Sequence, residues 1–287
     1  MNTVNTGTYG SSWRAKYFSS NLQKVLRKAL VAEAVCDVDR SGSFYIHNPY
    51  SNQPTAAQQA VAGTYSVSAW TITDDSLTIT DEAIYGEHVF DFERKLNSFN
   101  LIANRFDEMA WAVKLGVDQF VVNGLCEDAT GTYTTPLGGF TTAANIPVII
   151  SNLCSKVMGF NDVGKGYFLI IENTDVPGFI QAQIASGFSY ADSALNNGFM
   201  ANYAGVDIYV VRSGTFVSAT IGSRSDFTNS GHRVFGVKGV ATYAVGSPVY
   251  EEKAVSGKTG VEIAYGQHYG FKLWTQKAGL CVDITLA

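Results

Sequence analysis

Charge is scarce in this chain, and it is unevenly spread. Charged residues make up 16% of the 287 residues. From Ser41 to Glu93 there is no lysine or arginine, while Asp74, Asp75, Asp81, Glu82, Glu87, Asp91 and Glu93 all fall in that stretch. The net formal charge of −5 excludes the global basic footprint of a sequence-specific nucleic-acid binder. The four cysteines, Cys36, Cys126, Cys154 and Cys281, lie far apart and form no C-x-x-C pair. Neither a sequential metal cluster nor a disulfide framework is expected, and reduced, buried thiols are. No apolar run approaches the roughly 18 residues of a membrane span, and the first residues are not of signal-peptide type. No membrane partner is expected. Catalytic signatures are missing too: there is no H-E-x-x-H and no G-x-S-x-G, and His47, His88, His232 and His268 share no ligand spacing. Gly159 to Lys165 fits G-x-x-x-x-G-K, but Gly166 stands where the magnesium-binding hydroxyl belongs, and the loop follows a predicted helix rather than a strand. No catalytic, metal or cofactor-binding residue is predicted.

What the chain does have is apolar and aromatic material, 46% apolar with 15 tyrosines and 17 phenylalanines, and 28 glycines for turns. This composition describes a core-forming, strand-rich protein. One stretch, Phe90 to Glu127, stands out. Phe99, Ile102, Phe106, Met109, Val113, Val117 and Phe120 recur three or four residues apart, the period of a helix with one apolar face. Arg94, Asn104, Asp107, Lys114 and Asp118 fall between them and read as the polar surface. Asn97 or Ser98 is the expected cap, and Asn123-Gly124 the expected stop. Such a helix is roughly 40 Å long, well beyond the usual three turns. Trp111 lies off the stripe and is expected to be covered by a neighbour or by the preceding loop, the alternative being a second core face. Gly116, in mid-helix, marks a place for bending or for close packing.

The flanks differ in kind. Residues 1–18 are polar and lead into a short helix capped by Ser19 or Ser20, with Arg14, Lys16, Lys24, Arg27 and Lys28 supplying five positive charges before the first acid. The acidic stretch reads as a long β-hairpin loop, with strand-like runs Thr64–Thr73 and Leu77–Thr80 around Asp74-Asp75-Ser76. A loop of that length needs something to pack on. Its one-signed surface repels its own copies and suits a basic partner. Beyond the long helix, residues 145–230 alternate helix and strand: Asn145 and Pro147 open a helix, Tyr167–Ile171 is a buried strand, Asp175 starts a second helix, and Val206–Arg212 is a second strand. From His232 to the end strands alone are expected, in five pieces, and the last sheet is expected to pack on the long helix.

This order of parts resembles the tailed-bacteriophage major capsid protein with its Hong Kong 97-like fold. The residues that carry it are the acidic hairpin running into FERKLNSFNLIANRFDEMAWAVKLGVDQFVVNGL, the strand GVDIYVVRSG, and the ending HRVFGVKGVATYA…GVEIAYGQHYGFKLWTQKAGLCVDITLA. The resemblance implies an α+β fold with an N-terminal arm at 1–40, an extended loop at 41–88, a peripheral domain with a spine helix at 89–140 and 232–287, and an axial domain at 141–231. It implies no enzymatic turnover and no cofactor. It further implies pentamers and hexamers closing into an icosahedral virion shell, assembled in the host cytoplasm around non-specifically packaged double-stranded DNA. A portal and decoration proteins are implied partners. With about 40 residues ahead of the loop, a separate scaffolding protein is expected. Asp74, Asp75, Asp81 and Glu82 are the expected inter-subunit acids, with Arg94, Arg105 and the arm's basic residues as partners, and Trp111 as an apolar contact. No lysine stands in the loop, so the lysine–asparagine cross-link of some relatives is not expected. An encapsulin-like compartment shell and a phage tail or adhesin-type protein are the alternatives.

Overall fold

A computed structural model describes residues 30–51, 63, 67, 69–91, 101–159, 166–185, 199–224, 227–254 and 259–287. Arg14, Lys16, Lys24, Arg27, Lys28, Arg94 and Phe99 lie outside the described residues, as does the side chain of Ile102. In chain order the elements are α1 (Ala32–Val35), β1 (Asp37–Asp39), β2 (Tyr45–His47), β3 (Tyr50–Ser51), β4 (Ile72–Thr73), β5 (Ser76–Thr78), β6 (Asp81–Val89) and the long helix α2 (Leu101–Glu127). Then come β7 (Gly131–Thr134), α3 (Asn145–Val157), β8 (Tyr167–Glu172), α4 (Val176–Ala185), β9 (Phe199–Tyr203), β10 (Val206–Val211), β11 (His232–Val237), β12 (Ala241–Ala254), β13 (Val261–Leu273) and β14 (Cys281–Thr285).

The predicted stripe of α2 is real. Met109, Val113, Val117 and Phe120 are all buried, and Phe106 packs edge-on against Tyr250 with ring centroids 4.4 Å apart. The helix changes character along its length. Its first half buries only that stripe, whereas every residue from Phe120 to Cys126 is buried. Asn123-Gly124 is therefore not the stop that turn chemistry suggests. Asn123 donates to the carbonyls of Gln119 and Thr215 and accepts from the Val217 N–H, so its amide is satisfied inside the protein. Gly124 is required by packing, since a Cβ there would sit 2.7 Å from the Phe271 ring. Gly116 is the opposite case: a Cβ would meet nothing within 4 Å, so close packing does not explain it.

Two sheets flank this helix. One has the order β1-β12-β13-β6, the other β7-β14-β11-β8-β10-β9. In the first, β12 and β13 form one long hairpin, with a register shift between Val245 and Pro248 that leaves Gly246 and Ser247 outside the regular ladder, while Pro248 pairs with Gln267. β6 extends the sheet antiparallel to β13, pairing Tyr85 with Tyr265 and Asp81 with Tyr269. Ile263, Val89 and Met109 form a small apolar cluster between this sheet and α2.

The six-stranded sheet is buried more thoroughly. Phe168, Leu169, Ile170 and Ile171 of β8 are fully covered, as are Ile146, Ile149, Leu153 and Val157 of α3 and Phe179 of α4. Each such side chain contributes about 1.5–3 kcal/mol on burial. Met158, the residue after the end of α3, is exposed. β8 pairs parallel with β10 and antiparallel with β11, and β14 pairs antiparallel with β11 and parallel with β7. The six strands of this sheet lie on both sides of the expected boundaries at 140/141 and 231/232, with β11 hydrogen-bonded directly to β8, and β14 and β7 following beyond it. Arg233 of β11 is buried in this sheet. Its guanidinium donates to Asp175 at 2.5 Å and to Glu172 at 3.2 Å, and it lies over the Phe216 ring.

Candidate assembly surface

The acidic hairpin divides into a root and an outer part. At the root, β2 pairs with β5, and Leu77 and Ile79 bury themselves against Ala244 and Trp274. Asp75 and Asp81 belong to this root, which corrects their expected exposure. Asp75 accepts the Thr275 N–H at 2.9 Å and pairs with Lys272 at 3.2 Å. Burial alone pushes its carboxyl up, but those two partners outweigh it and hold the group below the usual carboxylate range. Asp81 accepts the Ser223 N–H at 2.5 Å and the hydroxyls of Ser223 and Thr80 at 2.9 and 3.1 Å. The turn it holds continues to Arg224, which grips Asp128 through two hydrogen bonds of 2.9 and 2.8 Å and lies over the rings of Phe120 and Phe271. A continuous chain of contacts thus runs from the first residue of β6 to the residue after α2.

Asp74 and Glu82 face solvent, Asp74 in a pair with the exposed His47 at 2.8 Å. Arg105 is engaged within its own chain. Its Nε donates to Glu87 at 3.0 Å and its Nη2 makes a second, shorter bond to the same carboxylate. The hydrogen bond to Glu87 raises the Arg105 pKa further. Trp111 is half-buried on α2. The hairpin also places apolar groups in water: beyond the root Val67 is 85% and Trp70 77% exposed and Ile72 is exposed, and at the root Phe44 and Tyr45 are exposed as well. Ile84 and Val249 add to this on the sheet face turned away from α2, where both pair with Gly266 of β13, one from each neighbouring strand. Side chains of this size stay uncovered mainly where another surface meets them.

One residue that sequence reasoning assigned to the surface proves to be a tertiary joint. Asp118 is buried, and its Oδ1 accepts the N–H groups of Val31 and Ala32 at 2.8 and 2.7 Å, at the start of α1. It caps that short helix from another element and fastens the segment leading into β1 to the middle of α2. Burial pushes its carboxyl up to about 6, against the pull of the two N–H donors. Beside it lies an open cleft of ≈ 340 Å³ bordered by Glu33, Arg40, Lys114, Tyr243 and Gln267. In sequence, the only sign was an acid one residue from Val117 of the stripe.

No protein-family model and no curated protein sequence matches the chain. Solved structures do match it along nearly its whole length. A chain of Mycobacterium phage Che8 superposes with a TM-score of 0.72 at 16% identity, covering 96% of this chain and 98% of that one. The capsid of the cyanophage P-SCSP1u gives 0.73 at 13% identity, covering 96% and 93%. The capsid of an empty GTA particle gives 0.70 at 12% identity, covering 99% of both. The chain has the mixed helix-and-sheet fold of phage capsid subunits, in agreement with the resemblance read from the order of its parts.

Proposed function

We propose that this chain is the major capsid protein of a tailed bacteriophage, a virion shell subunit whose binding partner is chiefly itself. The observation that carries this reading is the whole-length fold match to capsid chains, with no large part of either left over. The exposed hairpin gives it a physical mechanism. A subunit that buries the root of its hairpin and leaves Trp70, Val67 and Ile72 in water has apolar surface for a sister copy to cover. Exposed ion pairs are worth only about 0–1 kcal/mol each, but a closed shell repeats them in every subunit, and the solvent-facing Asp74 and Glu82 are the acids that set the register between copies.

On this reading the long helix and the β1-β12-β13-β6 sheet form the peripheral part, and the six-stranded sheet with α3 and α4 forms the axial part. Pentamers and hexamers, a separate scaffolding protein, a portal, decoration proteins and packaged double-stranded DNA belong to the same proposal, as does assembly in the host cytoplasm. The function is mechanical and requires no catalytic turnover. Expression of the chain with and without its neighbouring genes, followed by negative-stain microscopy, tests it. Capsomers or closed shells are expected. A species that stays a monomer or small oligomer under both conditions overturns the proposal.

A further inference from the structure

Three metal-capable side chains from three elements meet where the end of the long helix crosses the six-stranded sheet. Cys126 is the penultimate residue of α2, His232 opens β11, and Asp283 is the middle residue of β14. The β11–β14 ladder pairs Val234 with Asp283 and His232 with Thr285, so His232 and Asp283 are diagonal neighbours on one face. Cys126 Sγ lies 2.8 Å from Asp283 Oδ1, and His232 Nδ1 lies 2.8 and 3.0 Å from the two Asp283 oxygens. All three donor atoms fall within 4.8 Å of one another. Cys126 is buried, while the side chains of His232 and Asp283 are 21% and 17% exposed. The cluster is therefore anchored in the core and open to solvent on one side.

We propose that Cys126, His232 and Asp283 form a binding site for a zinc-type divalent cation, with water as the fourth ligand. The donor set decides the class of ion. Thiolate with imidazole and carboxylate suits a borderline-soft, tetrahedral cation, whereas magnesium and calcium prefer oxygen alone. With metal–ligand bonds of about 2.0–2.3 Å, tetrahedral ligands stand roughly 3.3–3.5 Å apart. The contacts of Asp283 with Cys126 and His232, now 2.8 Å, therefore lengthen by about 0.5–0.7 Å on binding. On binding, the Cys126 S–H bond breaks, its electron pair goes to the metal and its proton goes to water. His232 binds as the neutral imidazole through Nδ1. Two negative ligands then balance the dication. The bound ion clips the end of α2 to β11 and β14.

Cobalt(II) is the probe. The purified, chelator-treated full chain is expected to take up one equivalent, with a thiolate-to-cobalt charge-transfer band in the near ultraviolet that zinc abolishes by displacement. Cys126→Ala and His232→Ala each lose the band, and Cys154→Ala keeps it. No band in the wild type, or a band that survives Cys126→Ala, overturns the site. A second readout needs no variant: zinc raises the Tm of the wild-type chain and releases about one proton per ion at neutral pH. A Tm unchanged at saturating zinc overturns the proposal equally.

Discussion

In strand β8 of the six-stranded sheet, every residue from Phe168 to Glu172 is buried; in β12 of the four-stranded sheet, all eight residues from Ser247 to Ala254 are exposed. Both strands sit in well-formed ladders, so backbone pairing is not what separates them. The difference lies in what covers the faces. The six-stranded sheet has helices, the end of α2 and a buried ion network against it, and it reads as near-continuous apolar runs. The outer half of the four-stranded sheet has α2 on one side only. Its stability as a single copy comes from the long hairpin and the Val89–Met109–Ile263 cluster. One region is covered within the chain, and the other leaves its outer face exposed, which is the surface the proposed assembly would use.

The contrast breaks most visibly at Arg233. Arg233→Met leaves Glu172 and Asp175 as uncompensated buried acids, and the expected loss is about 3–5 kcal/mol of unfolding free energy in a denaturant titration. A loss below about 1 kcal/mol would mean the sheet core does not depend on that network.

The Asp118 joint, between the two regions, should show itself as a pH effect. Its folded pKa of about 6 stands above the ordinary carboxylate value of 3.8. The stability it contributes is therefore fully present below about pH 4 and is lost as pH rises through 6, by about 3 kcal/mol for a two-unit shift. Asp118→Asn keeps an oxygen for the two N–H groups and removes the ionisation. The stability of the variant relative to wild type should climb between pH 4 and 7. Parallel pH curves for the two chains would refute the assignment.

At the hairpin root, Asp81→Ala strands the Ser223 N–H and both hydroxyl partners, and is expected to cost about 1–3 kcal/mol. Proteolysis of the hairpin should accelerate with it; unchanged cleavage would place the anchor elsewhere. Gly116→Ala points the other way. With open space at the Cβ, the helix should gain about 1 kcal/mol, read as a higher Tm, and a loss would reveal a neighbour at that position. The smallest effect on folding, and the sharpest test of the comparison, is Asp74→Lys with Glu82→Lys. Both groups are exposed, so unfolding free energy should move by no more than about 0.5 kcal/mol, while shells seen by electron microscopy disappear. Normal particles from that variant would remove the acids from the assembly surface.

Regular periodicity explains what was readable in advance. Met109, Val113, Val117 and Phe120 announce their helix because the repeat and the burial have the same local cause, a single face turned to the core. The same holds for the apolar run of β8 and for the α3 helix opening near Asn145. The roles of single polar residues were not readable. Asp75, Asp81 and Asp118 look alike as acids on polar stretches, yet Asp75 meets Lys272 and Thr275, Asp81 meets Ser223, and Asp118 meets Val31 and Ala32. Turn chemistry misled at Asn123-Gly124 because Thr215, Val217 and Phe271, all distant in sequence, supply what a helix end would otherwise have to provide.

By itself the amino-acid order determined the parts list: an acidic hairpin, a long helix with one apolar stripe, an α/β stretch and a closing run of strands, in a sequence consistent with a shell subunit. Local steric preference and the 3.6- and 2-residue periods suffice for that. Only the tertiary structure decided which strands share a sheet, which acids are joints and which are surface, and where Cys126, His232 and Asp283 meet. Those outcomes depend largely on contacts between residues far apart in the chain, such as Asp37 with Thr242 or Asp75 with Thr275, and a pairwise contact at that distance leaves no periodic trace in either partner's neighbourhood.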